Sequence, residues 1–269
     1  MGTRWTFFAL AAASAAVLAI VAAPLHSVAQ DAPAPKPHAC IGPAELVRLD
    51  HVLARSARQL NKALPLRIVA IGSSSTAGAG ASSPAMSYPS RLQVELQELF
   101  PRSPITMFNR GVGGETATEM LARFDSGVMV EKPDLVLWQA GSNSVLRDQP
   151  VAPAVGLLRD GLNRLKSAEI DVVLINPQYA PKVLAKPDID RMVDLFDATA
   201  RQSHVNLFQR FALMRYWRLT EDIPFSAFLS KDELHMNDWS YGCLAKLLAG
   251  SIAEAATRPT VTATARPRG

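Results

Sequence analysis

The sequence predicts an α/β protein, a three-layer α/β/α sandwich around a mostly parallel five-stranded sheet. Three observations predict it. The chain has 269 residues, 48% of them hydrophobic and 19% charged, enough to bury one substantial core. Apolar strand-like runs alternate with amphipathic helical runs along most of its length. The helical runs carry apolar residues at three- and four-residue spacing, as in Leu157, Leu158, Leu162 and Leu165. Strict alternation of this kind argues for parallel strands covered on both faces.

The elements follow in order. Arg4, an apolar run from Trp5 to Ala23, and Ser27-Val28-Ala29 match an export signal with small residues before its cleavage site. Residues 1–29 are therefore expected to be removed, leaving no stable membrane anchor. The alternative is a retained anchor, because the apolar run is almost long enough to span a bilayer. Pro37-His38-Ala39 before Cys40 does not look like a lipid-attachment site. Residues 30–42, opening "QDAPAPKPHA", read as a Pro/Ala linker, and residues 258–269, "RPTVTATARPRG", as a polar tail; neither is expected to pack. Between them, residues 43–257 form one domain. Its expected strands are Leu66–Ile71, Ile105–Phe108, Leu135–Gln139, Val172–Ile175 and Val205–Phe208. Its expected helices are Ala44–Ala63, Tyr88–Phe100, Thr116–Val130, Ala152–Ser167, Asp188–Gln202 and Trp239–Ala255.

Charge narrows the partners only slightly. The net charge is +4, and the basic residues are scattered among acidic ones without runs or interleaved aromatics. Nucleic acid is not expected as a partner. In an oxidising compartment the two cysteines, Cys40 and Cys243, are expected to form a disulfide, being too few for a structural zinc cluster. The five histidines are dispersed, so neither a metal nor a cofactor is expected. Nothing in the sequence speaks to oligomeric state.

In a parallel sheet the ligand site lies beyond the carboxyl ends of the strands. The turns there are unusual. "GSSST", Gly72 to Thr76, follows the first strand. "NRGVGGET" follows the second and sets Asn109, Gly111 and Gly114 in an N-x-G-x-x-G spacing. "GSNS", Gly141 to Ser144, follows the third, and "DELH", Asp232 to His235, precedes the last helix. Each is weak alone: a Gly-Ser turn, a backbone glycine or a turn-forming asparagine would explain it. Their fixed order along one edge of one sheet is the signal.

In that order the motifs resemble the four blocks of the SGNH (GDSL-type) hydrolases, from about Leu66 to the end of the last helix. The resemblance implies a flavodoxin-like fold. It also implies Ser74 as nucleophile, His235 as base and Asp232 as its carboxylate, with an oxyanion hole from Ser74, Gly114 and Asn143. Two positions depart from the family pattern: Ser73 and Ser144 stand where aspartates are usual.

The chemistry fits those residue types. A serine hydroxyl is a poor nucleophile until an imidazole takes its proton, and the imidazole needs a carboxylate to fix its tautomer. Competing motifs fail: "GSSSTAG" lacks the Walker lysine, and no G-x-S-x-G elbow occurs. The expectation is an exported serine esterase, periplasmic or secreted, acting on short acyl esters, with O-acetyl groups on carbohydrate or peptidoglycan foremost. The alternatives are a lipase, lysophospholipase or thioesterase, or an inactive carbohydrate-binding protein that keeps the fold. Trp138, Tyr179, Met236 and Trp239 fall near the expected edge as candidates for a pocket wall or for core.

Overall fold

The computed structural model describes residues 1–3, 5 and 38–259. The expected export signal falls almost entirely outside the described residues, as do most of the linker and tail. Among the described residues no helix is long and apolar enough to cross a membrane.

Five strands form one sheet: β1 (Leu66–Gly72), β2 (Ile105–Gly111), β3 (Leu135–Gln139), β4 (Asp171–Ile175) and β5 (Asn206–Phe208). They lie in the order β2-β1-β3-β4-β5, and every neighbouring pair is parallel. From β1 the chain goes outward to β2 and then returns on β1's other side as β3. The connections thus diverge between β1 and β3, which opens a crevice at their carboxyl ends.

Helices cover both faces. Asp238–Thr257 packs with Tyr88–Leu99 and Ala54–Asn61 in one layer, and Pro153–Ser167 packs with Ala117–Ala122 and Ile189–Ser203 in the other. All of β3 is buried, as a central strand between two layers must be. Leu244, Leu248 and Ile252, at four-residue spacing on the last helix, are buried as well. Each such side chain contributes roughly 2 kcal/mol by leaving water.

The structure departs from the sequence expectation at two expected helices, which are broken, and in adding one long helix and several one-turn helices. Ala44–Ala63 is broken into Ala44–Val47 and Ala54–Asn61. Between them the Asn206 side chain accepts from the His51 N–H at 2.8 Å and donates to the His51 carbonyl at 3.0 Å. Backbone groups that a helix would pair internally are thereby satisfied from β5. Thr116–Val130 likewise divides into Ala117–Ala122, Phe124–Gly127 and a 3₁₀ turn at Met129–Glu131. A helix absent from the expectation, Arg210–Leu219, follows β5 with only Gln209 between them.

Both ends of the domain reach further than expected. Cys40 and Cys243 are joined in a disulfide with Cα atoms 5.3 Å apart. The His38 carbonyl accepts from Trp239 at 3.0 Å and the Ile41 carbonyl from Trp217 at 2.8 Å, so the last residues of the expected linker pack. Arg258, the first residue of the expected tail, donates to the Leu49 and Asp50 carbonyls at 2.7 and 3.0 Å.

Candidate active site

The turn after β1 is built by close approach. A Cβ on Gly72 would stand 2.1 Å from Thr76 Oγ1, and one on Gly111 would stand 2.1 Å from the Ala77 nitrogen. Only glycine lets the ends of β1 and β2 close on the one-turn helix Ser74–Ala77. Asn109 secures this junction, donating to the Thr76 carbonyl at 2.8 Å and accepting from the Gly111 N–H at 2.9 Å. Ser73 is extended, and Ser74 is the first residue of the short helix, its side chain partly exposed.

From the end of β3, Gln139 fixes the turn. Its Oε1 accepts from the Ser73 N–H at 3.0 Å, the Ser73 hydroxyl at 3.1 Å and the Thr76 hydroxyl at 3.1 Å. Ser73, where the family pattern has aspartate, is thus a buried turn anchor. Among the described residues the Gln139 Nε2 has no hydrogen-bond partner.

The loop before the last helix brings the other two groups of the expected triad to Ser74. Glu233 takes a left-handed conformation (φ 56°), which folds Asp232 back over His235. Asp232 Oδ1 accepts from Ser230 Oγ at 2.6 Å and from the Leu234 and His235 N–H groups at 3.0 and 2.9 Å. Asp232 Oδ2 lies 2.5 Å from His235 Nδ1, and His235 Nε2 lies 2.7 Å from Ser74 Oγ. Partial burial raises the Asp232 pKa, but the hydrogen bonds from Ser230 and from His235 outweigh it. The carboxyl is therefore held far below the usual carboxylate range. The His235 side chain is 14% exposed and that of Asp232 43%, so the base is sheltered while its carboxylate meets solvent.

Two of the expected oxyanion residues, Gly114 and Asn143, meet through Glu115. Gly114 is left-handed (φ 81°), and Asn143 sits in the helix Ser142–Leu146 that follows β3. Asn143 Nδ2 donates to the Glu115 carbonyl at 2.8 Å, so one N–H of its amide holds the segment containing Gly114. Ser144, the second departure from the family pattern, is buried. Its neighbour Ser142 donates to Gln178 Oε1 at 2.6 Å.

Gln178 and Arg210, which the sequence did not single out, link these parts. Arg210 donates to Gln178 Oε1 and to the Asn176 carbonyl, both at 3.0 Å, and Gln178 Nε2 donates to the Leu234 carbonyl at 3.5 Å. The Asn143 helix is tied in this way to the loop carrying His235. Burial lowers the Arg210 pKa to about 10, so it remains a cation at neutral pH.

The four aromatic and methionine candidates divide. Trp138 and Met236 are fully buried and belong to the core. Trp239 packs edge-on against Trp217, with ring centroids 5.2 Å apart. Tyr179 is half-buried and stacks on Phe225 at 5.9 Å. Phe225, Ser226, Leu229, Ser230, Lys231 and Glu233 line a cleft of about 280 Å³ flanking the Asp232 turn.

Among solved structures, a two-domain esterase active on acetylated mannans is 20% identical, with a TM-score of 0.65 over 82% of this chain and 58% of that one. This chain therefore spans little more than half the length of that protein. A mutant of an acetyl-xylooligosaccharide esterase from Geobacillus stearothermophilus is 20% identical, with a TM-score of 0.60 over 70% of this chain and 94% of that one. A lipolytic protein of the G-D-S-L family from Desulfitobacterium hafniense is also 20% identical, with a TM-score of 0.58 over 69% of this chain and 98% of that one. At such identity the likeness is one of fold. No curated protein matches the sequence. The model of the non-GDSL lipase-like family matches residues 39–258. Its description agrees with Ser73 replacing the aspartate of G-D-S, and the match spans the whole described domain. This chain belongs to the non-GDSL lipase-like family, an SGNH-type hydrolase family.

Proposed function

We propose that the protein is an exported serine esterase that removes short acyl groups, acetyl foremost, from carbohydrate or peptidoglycan. The observation that carries this reading is the unbroken line from Asp232 Oδ2 through His235 to Ser74 Oγ, with contacts of 2.5 and 2.7 Å. An inactive binding protein would have no use for a base within hydrogen-bond reach of a serine at the end of a strand.

Each residue has a role in the reaction. His235 Nε2 takes the Ser74 proton as Oγ attacks the acyl carbon, and the tetrahedral oxyanion is met by the N–H groups of Ser74 and Gly114 and by the second N–H of the Asn143 amide. The C–O bond to the sugar then breaks, and the imidazolium returns its proton to the leaving oxygen. Water, deprotonated by the same imidazole, releases the acid from Ser74 and restores the hydroxyl. Asp232, ionised throughout the neutral range, holds the tautomer and stabilises the imidazolium.

Export is supported by the Cys40–Cys243 disulfide and by the signal-like start of the sequence. We place the signal at residues 1–29 and keep the expected linker (30–42), domain (43–257) and tail (258–269), except that His38, Cys40 and Ile41 at the end of the linker and Arg258 at the start of the tail pack on the domain and belong with it. Carbohydrate acetyl esters are favoured because two of the similar structures are esterases of acetylated polysaccharides or oligosaccharides. The family's lipase-like description favours longer acyl chains as a second reading.

One set of assays tests these points. A fluorophosphonate should attach to Ser74, and p-nitrophenyl esters should be cleaved fastest at acetyl and progressively more slowly towards palmitoyl. Acetate release from acetylated xylan, mannan and peptidoglycan then ranks the natural esters. Preference for long acyl chains would favour the lipase reading, and a mature protein that neither cleaves nor takes label would remove the enzyme.

A further inference from the structure

We propose that Arg147 is a positioning residue for the oxyanion hole, clamping the Gly114–Glu115 segment together with Asn143. This inference rests on the esterase reading above. The segment needs such a clamp. Val112-Gly113-Gly114 is a turn with two consecutive glycines, closed by one long hydrogen bond from the Glu115 N–H to the Val112 carbonyl at 3.4 Å. Glycine loses more conformational freedom on ordering than any other residue, so a Gly-Gly turn drifts unless its carbonyls are held from outside.

Two side chains hold them, one from the helix Ser142–Leu146 and one from Arg147, which caps it and whose N–H continues the helical bond to the Asn143 carbonyl. Asn143 Nδ2 donates to the Glu115 carbonyl at 2.8 Å, and the guanidinium of Arg147, four residues on, donates to the Gly114 carbonyl at 2.6 Å. Residues four apart lie one above the other on a helix, so the pair grips consecutive carbonyls of the turn. Gly114 has no side chain to restrict either of its backbone torsions. With its own carbonyl and the next one both held, its Cα is anchored, and the arc over which its N–H can swing away from the oxyanion is narrowed.

Arginine suits this place. Its fork also reaches Glu119 Oε1 at 3.4 Å, and Glu119 Oε2 accepts from the Thr116 N–H at 2.8 Å at the head of the next helix. A lysine ammonium is a compact point charge that would not span both acceptors. The Arg147 and Glu119 side chains are 48% and 47% exposed, and an ion pair so open contributes little to folding. Fold stability therefore does not explain the arrangement, whereas a charge-assisted bond to the carbonyl of an oxyanion-hole residue does.

Arg147→Ala and Arg147→Lys, made in the full chain and assayed on p-nitrophenyl acetate, test the clamp. A misplaced oxyanion donor acts in the transition state alone, so Arg147→Ala should lower kcat about tenfold with KM unchanged. Fluorophosphonate labelling of Ser74 should slow in proportion, while the pH profile and melting temperature stay as in wild type. Arg147→Lys should recover part of the loss, to within about threefold of wild type. A labelled Arg147→Ala protein with wild-type kcat, or one that raises only KM, overturns the proposal. If wild type itself takes no label at Ser74, the esterase reading falls first, an outcome distinct from the other two.

Discussion

The two edges of the sheet treat polar side chains in opposite ways. Towards the amino ends of the strands, every carboxylate oxygen of Asp134 and Asp171 is engaged. Asp134 accepts from Arg55 at 2.8 Å, Gln59 at 3.0 Å and the Arg67 N–H at 3.0 Å, while Asp171 accepts from the Ser56 N–H and hydroxyl at 2.7 and 2.8 Å. Burial nevertheless raises the Asp171 pKa, more than the Ser56 and Arg55 bonds lower it. At the carboxyl edge, Ser74 and Asn143 are only partly buried, and Gly114, Gly141 and Glu233 adopt left-handed or glycine-type backbone. Saturated groups can only hold the chain together. Groups with a spare donor or a movable proton can act on a molecule that arrives.

Substitutions at the two edges should therefore separate activity from stability. The largest effect belongs to the carboxyl edge: Ser74→Ala or His235→Ala should lower kcat by about 10⁴–10⁶-fold, and combining them should cost little more, because they act as one unit. Thermal melts close to wild type would accompany that loss, and a Ser74→Ala enzyme with appreciable turnover would contradict the site. Asp232→Asn should follow, at about 10³–10⁴-fold in kcat, since it keeps the shape and spoils the tautomer.

Asp134→Ala should do the reverse. It leaves the Arg67 N–H and Gln59 without an acceptor, and the expected cost is about 3 kcal/mol of stability, read from urea unfolding. The folded fraction should retain wild-type kcat; a drop in kcat at unchanged stability would mean that the two edges are coupled. Asn143→Ala is expected to lower kcat by about 10²-fold with little change in KM, because its amide meets charge only in the transition state. Early melting with normal turnover would reduce Asn143 to a turn former.

The smallest effect concerns Glu119. Hydrogen bonds from Thr116, the side chain before the backbone, lower its pKa from 4.5 to about 2. A depressed carboxyl contributes stability above its unfolded value and loses it as pH falls through the folded one. Stability should thus decline slightly between about pH 4.5 and 2, and Glu119→Gln, which keeps the capping geometry, should flatten that decline. An unchanged slope in urea titrations across that window would count against the capping bond.

The parts legible in the sequence were those written in neighbouring residues. All five strands were readable because each is an apolar run bounded by turn residues, and β3 matched its expected limits, Leu135–Gln139. Ser74, Asp232 and His235 were named because four weak motifs, taken in order, resemble the blocks of a known family; the three-residue spacing of Asp232 and His235 alone would not have singled them out, although all three side chains meet in the structure. What escaped was long-range. Gln139 acts on residues 63 and 66 positions earlier, and Arg147 reaches back 33 positions to Gly114, so no local pattern announces either. The break in Ala44–Ala63 is likewise dictated by Asn206, 155 positions later. Arg210–Leu219 was missed for a different reason: no glycine or proline separates it from β5.

The Cys40–Cys243 bond joins residues 203 positions apart, and Cys243 lies beyond Asp232 and His235 in the chain. A ribosome adding about 5–20 residues per second needs on the order of ten to forty seconds between the two cysteines, during which Cys40 has no native partner. By the time the ring can close, the chain already carries the loop that supplies the base. A fragment truncated before that loop has lost its fastener together with its chemistry. The bond thus records that synthesis has passed the catalytic loop: a fully oxidised molecule is also one that contains every residue of the candidate triad.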